Sequence, residues 1–493
     1  MRRQVHVVIH APDGRGLRTV SVDGQAIGKT WSLRGLKRIL RKSGFSYIDL
    51  DNPGHVRWSE TKEWPDHAWR RHASAILIAL ALLASAALLL WVGLADIFRA
   101  LTFGGRVMGV VFLVAALSEI IAVMAVFDYF GKRRVRYSGE ATLIGAVTLT
   151  ATSLVFLILQ WLGGDHGTHL WRWVGLSAWS IWTLWALSRQ KIWQGIPYPK
   201  SFALGVALSA IIGAASLTYS AMYVPYAAPV KVPFRISYGK PTVNANRTVL
   251  NLPAHITFRN EGDVSIYVVG TLWRAKVWPS KYTEDGGRMN EWKGELQEGY
   301  WIYGNETFPA PSRILGSGEF TGAGSRLDPG DDFSSDPVIP VSLKSAPGRV
   351  EIYAIVSYIR ADRCKLANSY SQSVEYSWDA DSQSKEHIKD APEWLAEKGD
   401  DYFRYESRIY RSSKIMELTS DRDYVSMWWV LPKWREGSNF EKGGTNPYME
   451  VHISRDPNAE ERLNDSEQEP YGMKTVNIFK EVPIDQLLKE AEG

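Results

Sequence analysis

Residues 73–98 read ASAILIALALLASAALLLWVGLADIF, and Asp96 is the only charged residue in this run. A helix needs about 20 predominantly apolar residues to cross the hydrocarbon core of a bilayer, so the run is long enough. Water cannot satisfy backbone groups inside hydrocarbon, and a crossing segment must therefore be a helix or part of a closed barrel. Because the run lacks the alternation of a barrel strand, it predicts a membrane-spanning helix.

Four more apolar runs follow the first, separated by short polar loops. They are Val107–Phe130, Thr142–Leu162, Leu170–Leu187 and Phe202–Val224. Single runs of this kind also occur as core helices of soluble proteins, but five in succession argue against that interpretation. Small and polar residues interrupt the later runs, as expected where helices pack closely in a membrane. The sequence therefore predicts a multi-pass α-helical domain of five transmembrane helices over residues 72–224.

The loop charges predict the orientation of this domain. The loop after the second run contains Lys132, Arg133, Arg134 and Arg136, whereas the loop GGDHGTH after the third run has no Lys or Arg. Positively charged loops stay on the cytoplasmic side. We therefore expect a cytoplasmic N-terminus and, after five crossings, an extracytoplasmic C-terminal part. The charge balance agrees, because residues 1–223 hold 24 Lys and Arg against 12 Asp and Glu, and residues 224–493 hold 33 against 41.

Cysteine usage and the N-terminus favour a bacterial plasma membrane. Cys364 is the only cysteine, so no internal disulfide can form. Disulfides are common on animal cell surfaces, and a bacterial envelope fits their absence better. The first apolar run begins too far from the N-terminus for a cleavable signal peptide, and we expect it to act as an uncleaved signal. The lipid bilayer is therefore the first predicted partner.

Residues 1–71 predict a small, basic cytoplasmic domain with a ββαβ-like order. Ser32 is placed to cap a helix that runs to about Ser43, and Gly44 follows as a stop signal. The predicted strands are Val5–His10, Leu17–Val22, Ser46–Leu50 and His55–Trp58. The stretch GQAIGKT at Gly24–Thr30 is one residue short of a phosphate-binding loop, and we therefore do not predict an ATPase.

The helix of this domain has two different sides. Leu33, Leu36, Ile39 and Leu40 form an apolar side at helical spacing, and the opposite side is basic. The basic residues are Arg34, Lys37, Arg38 and Arg41. They are either solvated cations or contacts to anionic headgroups of the inner leaflet. A nucleic-acid partner is not predicted, because no aromatic platform or groove-reading motif accompanies them.

Glu119 stands near the middle of the second apolar run, in VAALSEIIAVMAVF. A carboxyl group inside a membrane is costly and is a candidate functional group. The alternative is a packing role, with a hydrogen bond to a hydroxyl on a neighbouring helix such as that of Thr148 or Thr152. A proton or cation pathway usually needs several such groups, and the runs have no second central charge.

Residues 225–380 predict an extracytoplasmic β-rich domain. Segments of strand composition are Phe234–Tyr238, Val249–Phe258, Val264–Val277, Val338–Leu343 and Val350–Tyr358, with turn signals between them. Their spacing is typical of an antiparallel sandwich. The stretches ITFRNEGD and LDPGDDF are similar to the pattern in immunoglobulin-like adhesion and cell-envelope modules. Residues 381–493 predict a small mixed α/β C-terminal subdomain.

Residues 279–326 form a long connection that is rich in aromatic residues. Trp292, Tyr300, Trp301 and Tyr303 are the candidate partner-binding residues, since rigid aromatic side chains contribute strongly to interfaces. They either bind a partner or pack on the domain or the membrane surface.

No catalytic residue, metal site or cofactor is predicted, and the chain contains neither HExxH nor GxSxG. Our leading hypothesis is an integral plasma-membrane protein whose outer β-rich module binds an envelope protein or polymer. A transport or channel subunit that uses Glu119 is the alternative, and an enzyme comes third.

Overall fold

The computed structural model describes most of the chain in separate ranges. These are residues 6–12, 17–30, 32–46, 48–59, 68–131, 137–162, 168–189, 230–282, 306–307, 312–344, 348–372, 374–378, 399–433, 446–455 and 468–492, with residues 135, 219, 227, 293, 395 and 463 between them. The chain forms two compact units. The first consists of Met1–Phe98 and Val107–Ser216, and the second of Arg99–Arg106 and Leu217–Gly493.

The first unit begins with a four-stranded sheet covered by one helix. Its elements are β1 (Val7–Pro12), β2 (Arg18–Val22), β3 (Gln25–Thr30), α1 (Leu33–Lys42) and β4 (Val56–Trp58). The strand order is β3-β2-β1-β4, with β4 parallel to β1 and the other pairs antiparallel. The core consists of Val7, Ile9, Val20, Val22, Leu36, Leu40, Leu50 and Val56.

Strand β3 is a difference from the sequence prediction. Asp23 and Gly24 both have positive φ angles, so they form the tight two-residue turn that joins hairpin strands. The GQAIGKT stretch is therefore largely the second strand of a hairpin. Ser46–Leu50, predicted as a strand, has no strand among its described residues. The small domain thus has three strands before its helix instead of two.

Four long helices follow in the first unit. They are α2 (Ala68–Arg99), α3 (Phe103–Phe130), α4 (Ser138–Leu162) and α5 (Thr168–Arg189). By length and composition, α2, α3 and α4 are suited to cross a membrane. Four of the five predicted runs are thus helical and three have the predicted membrane character. The fifth run, Phe202–Val224, lies outside the described residues except for Tyr219.

The second unit is built mainly of strands. In chain order its described elements are β5 (Phe234–Tyr238), β6 (Thr242–Val243), β7 (Val249–Arg259), β8 (Ile266–Pro279), β9 (Lys281–Tyr282), β10 (Glu306–Thr307), β11 (Arg313–Gly318), β12 (Arg326–Leu327), β13 (Asp332–Ser335), β14 (Val338–Ser342), β15 (Gly348–Arg360), β16 (Cys364–Leu366), β17 (Val374–Tyr376), β18 (Asp401–Arg411), α6 (Lys414–Thr419), β19 (Asp423–Leu431), β20 (Tyr448–Ser454), β21 (Lys474–Pro483) and α7 (Ile484–Glu492). All pairs of these strands are antiparallel.

These strands form three larger sheets and one short pair. In sheet A, β7 pairs with β5 and β6 on one side and with β13 and β14 on the other. Sheet B has the order β11-β8-β15-β21, with β12 also on β8. Sheet C has the order β16-β18-β19-β20, with β17 also on β18. The pair β9–β10 stands apart from them.

Sheet B lies between two apolar cores. Phe258 of sheet A and Val268 and Ile352 of sheet B belong to one core, and Leu272 of sheet B shares another with Met427 of sheet C. Because β8 and β15 are buried on both faces, their sequences are apolar along most of their length instead of alternating. The second unit is therefore a stack of three sheet layers.

The end of the chain belongs to the same stack. Strand β21 pairs with β15 from Arg349↔Pro483 to Tyr358↔Lys474. Helix α7 then buries Ile484 and Leu487 in the core between sheets A and B. Residues close to the C-terminus thus complete the sheet that β8 and β15 form.

Candidate functional site

The outer surfaces of α2, α3 and α4 carry many large apolar side chains. On α3, Val110, Val114, Leu117 and Met124 are exposed, and Val114 is 63% exposed. Soluble monomers rarely expose contiguous apolar patches larger than a few hundred Å². A helix surface of this composition is suited to contact hydrocarbon.

Small residues let these helices approach closely. A Cβ atom added to Gly93 of α2 would lie 2.8 Å from the carbonyl oxygen of Gly109 on α3. One added to Gly145 of α4 would collide with the Cβ atom of Ala122 on α3. Contacts of this kind replace the hydrophobic effect as the driving force where helices associate in lipid.

Glu119 of α3 points into the helical domain and is 0% exposed. Neither carboxyl oxygen has a partner of good hydrogen-bond geometry among the described residues, and the Ser85 hydroxyl of α2 is a polar neighbour of the carboxyl. The partners expected from the sequence bond elsewhere. The Ser118 hydroxyl donates to Thr148 Oγ1 at 3.5 Å, and the Thr152 hydroxyl donates to the Thr148 carbonyl at 2.9 Å.

Other buried polar side chains between the helices do find partners. Ser153 Oγ of α4 and Ser180 Oγ of α5 are 3.1 Å apart. Trp173 Nε1 donates to Gln160 Oε1 at 3.0 Å, and the Trp173 ring stacks on Phe156. Glu119 therefore differs from these buried groups in lacking a satisfied hydrogen bond.

Helix α1 presents the predicted basic face to solvent. Ser32 caps it by accepting from the Gly35 amide at 3.0 Å, as the sequence indicated. Leu36 and Leu40 are buried against the sheet. The cations Arg34, Lys37, Arg38, Arg41 and Lys42 are exposed. They are available to an external partner.

The connection between α2 and α3 belongs to the β-rich unit. The Leu101 amide donates to the Ser412 carbonyl at 2.9 Å. Thr102 caps α3 by accepting from the Gly105 amide at 3.1 Å, and the Arg106 side chain donates to the Ala100 carbonyl at 3.2 Å. Ser412 follows β18 directly, so the connection is attached to sheet C through a backbone hydrogen bond.

Sheet B contains a buried ion pair. Lys276 Nζ of β8 lies 2.9 Å from Glu351 Oε1 of β15, and Trp278 Nε1 donates to Glu351 Oε2 at 3.1 Å. Burial lowers the pKa of Lys276, and the charge of Glu351 opposes this shift. Each charge is paired, which is what makes burial of an ion tolerable. The pair couples β8 to β15 and is a structural feature.

The aromatic candidates Trp292, Tyr300, Trp301 and Tyr303 lie outside the described residues. They belong to residues 283–305, between β9 and β10, and these two short strands pair with each other. The segment therefore begins and ends at a two-stranded ladder. Tyr282 and Glu306, which flank the segment, are direct partners in this ladder.

Within the described ranges, no group of three or more His, Cys, Asp and Glu side chains is placed to hold a metal ion. Comparisons with protein-family models, with curated proteins and with solved structures find no match to this chain.

Two contacts were not predicted from the sequence. Ser85 lies in an alanine- and leucine-rich run where nothing distinguishes it, and its position opposite Glu119 depends on helix packing. The Leu101–Ser412 hydrogen bond joins positions far apart in the chain. A local signal existed only for Thr102, which precedes an apolar run as an N-cap residue does.

Proposed function

We propose that this chain is an integral protein of a bacterial plasma membrane that holds a β-rich binding module on the extracytoplasmic side. The observation that carries this proposal is the exposed apolar surface of α2, α3 and α4. Exposure of that apolar surface to water would be unfavourable in free energy, whereas in a bilayer the surface would contact apolar hydrocarbon. The two further predicted spans, α5 and Phe202–Val224, are part of the proposal.

Two observations, taken together, support the proposed sidedness of the module. The basic loop at Lys132–Arg136 favours a cytoplasmic location for the connection after α3. The connection before α3 would then lie outside, and it is this connection that bonds to Ser412 of the β-rich unit. We therefore assign the N-terminus to the cytoplasm and residues 225–493 to the extracytoplasmic side.

Single cysteines test this topology. Ser334 on β13 and Ser43 after α1 are both exposed, and native Cys364 is buried with a pKa raised by burial to about 12. An impermeant maleimide added to intact cells should label Ser334→Cys and leave Ser43→Cys unlabelled until the cells are opened. The reverse pattern would overturn the assignment.

We propose that the module binds an envelope protein or polymer through residues 283–305. Two antiparallel sheets around one core support the predicted immunoglobulin-like architecture, with sheet C as an additional layer. The ladder β9–β10 holds the ends of the segment that contains the four candidate aromatic residues. Stable β frameworks commonly position binding loops in this way.

Alanine substitutions separate binding from packing. Trp301→Ala with Tyr303→Ala should abolish retention of the protein by isolated envelope fragments and leave its melting temperature unchanged. Tyr376→Ala with Trp378→Ala, an exposed aromatic pair elsewhere in the module, is the matched control and should retain binding. A lower melting temperature with normal retention would place Trp301 and Tyr303 in the core.

A transport or channel subunit is the second candidate function. The observation that favours it is the buried Glu119 carboxyl, which has no hydrogen-bond partner among the described residues. A buried carboxyl without a hydrogen-bond partner can take up a proton or a cation during transport.

Proteoliposomes that contain a pH-sensitive dye test this alternative. Glu119→Gln should abolish proton flux while the protein still inserts, and Glu140→Gln in the first turn of α4 should retain it. Equal flux in wild type and Glu119→Gln would remove the transport hypothesis.

A further inference from the structure

Helix α1 concentrates positive charge on one face. Its sequence LRGLKRILRK contains five cations and no acidic residue. Within the part of the chain that the structure describes, these cations form no ion pair with an acidic side chain. Leu36 and Leu40 anchor the opposite side of the helix in the domain core, so the basic face is directed away from the sheet.

The spacing of these cations is unfavourable for the helix itself. Two pairs of positive side chains lie four residues apart, namely Arg34 with Arg38 and Lys37 with Arg41. Pairs of the same charge at this spacing destabilise a helix. Arg34 also lies in the first turn, where the helix dipole disfavours positive charge. An ordinary solvated helix face usually mixes both signs. An anionic partner would remove both penalties.

The chain holds this face close to the membrane helices. Strand β4 ends at Trp58 and α2 begins at Ala68, and ten residues span at most about 35 Å. The anionic lipid headgroups at the cytoplasmic end of α2 are therefore always within reach of the domain. Tethering of this kind gives a weak contact a high effective concentration.

We propose that the basic face of α1 is a binding site for anionic phospholipid headgroups of the inner leaflet. Arg34, Lys37, Arg38 and Arg41 contact the phosphates, while Leu36 and Leu40 keep the helix on its sheet. The proposal rests on the membrane location proposed above. Each cation near an anionic surface strengthens the contact about fivefold.

Full-length protein labelled with an environment-sensitive fluorophore at Ser43→Cys tests the site. The protein is reconstituted in vesicles of phosphatidylcholine alone or with phosphatidylglycerol. We expect a blue shift and protection from iodide quenching only with phosphatidylglycerol. Arg34→Gln, Lys37→Gln, Arg38→Gln and Arg41→Gln together should abolish both effects. Salt at 1 M should also abolish them, because the screening length then falls to about 3 Å.

The control removes four exposed cations from the β-rich unit. Its substitutions are Arg235→Gln, Lys240→Gln, Lys474→Gln and Lys489→Gln, and it should behave as wild type. A blue shift that is independent of phosphatidylglycerol, or that persists in the α1 variant, would overturn the lipid site. Flotation of the vesicles after alkaline extraction separates the two proposals. Protein that does not float with the vesicles contradicts membrane insertion. Protein that floats but shows no blue shift dependent on phosphatidylglycerol contradicts only the lipid site.

Discussion

The helical part of the first unit and the β-rich second unit both contain apolar cores, but they differ in the side chains that they expose and in the polar groups that they bury. On α3, Val114 faces outward and Glu119 inward, whereas in the β-rich unit Phe258 is buried between sheets A and B. Buried ionisable groups also differ, because Lys276 is paired with Glu351 while the Glu119 carboxyl has no partner of good hydrogen-bond geometry among the described residues. The difference teaches that the surrounding solvent decides which side chains face outward. The exposed apolar surface of the helices is the pattern expected where hydrocarbon replaces water as the surrounding solvent.

The largest expected effect comes from the core of the β-rich unit. Phe258→Ala removes a fully buried ring that packs against Phe234 and Tyr358, and it should destabilise the unit by about 3–5 kcal/mol. Urea unfolding of a fragment that begins at residue 231 measures this loss. The two closed cores predict that this fragment folds alone and unfolds cooperatively, insensitive to reducing agent because Cys364 has no partner cysteine.

Phe479→Ala on β21 is the control for this substitution. Phe479 is 45% exposed, so its truncation should change the free energy of unfolding by less than about 0.5 kcal/mol. Equal losses for the two variants would contradict the assignment of the core.

Two valines of nearly equal exposure test the contrast between the units most directly. Val114 on α3 and Val338 on β14 are 63% and 60% exposed. Val114→Arg should oppose membrane insertion by about 2.5–3.5 kcal/mol, because the cation would lie in hydrocarbon. Val338→Arg faces water and should be neutral within about 0.5 kcal/mol. The fraction resistant to alkaline extraction measures insertion, and a harmless Val114→Arg would mean that α3 does not face lipid.

Two methionine substitutions between the helices should have effects of opposite sign. Glu119→Met removes a buried carboxyl without a hydrogen bond and should stabilise the detergent-solubilised protein by about 1–3 kcal/mol. Gln160→Met leaves the Trp173 indole N–H without its acceptor and should destabilise it by a similar amount. Thermal melting measures both. Destabilisation by Glu119→Met would indicate that the carboxyl holds a ligand or a proton that the fold requires.

The smallest expected effect is a pH dependence in the β-rich unit. Burial raises the pKa of Glu319, and its interaction with Tyr405 partly opposes the shift. The folded state therefore binds the Glu319 proton more tightly than the unfolded state. This residue's contribution to stability falls as the pH rises from the ordinary pKa of a glutamate towards its raised pKa in the folded state. Glu319→Gln should consequently gain stability relative to wild type as the pH rises above 4.5, the ordinary pKa of a glutamate side chain. A stability difference between Glu319→Gln and wild type that does not change with pH would contradict the prediction.

Local patterns were sufficient to predict several elements. Four apolar runs predicted α2 to α5 nearly to their ends, and Ser32 marked the start of α1 because its hydroxyl caps the Gly35 amide. Strand β3 is not predicted although Asp23-Gly24 is a hairpin signal, because the GKT that follows resembles the end of a phosphate-binding loop. The aromatic candidates between β9 and β10 remain predictions, since they lie outside the described residues.

The sequence by itself determined where apolar and charged side chains gather along the chain, and hence the helical segments, the basic face of α1 and the strand-rich second half. These depend on periodicities that extend over a few turns or a few residues. Only the tertiary structure decided that β21 pairs with β15, that sheet B has a core on both faces, that Ser85 faces Glu119 and that Leu101 bonds to Ser412. Such pairings join positions far apart in the chain, and many other residues have equally suitable local sequences. The packing of whole sheets and helices therefore selects which residues pair.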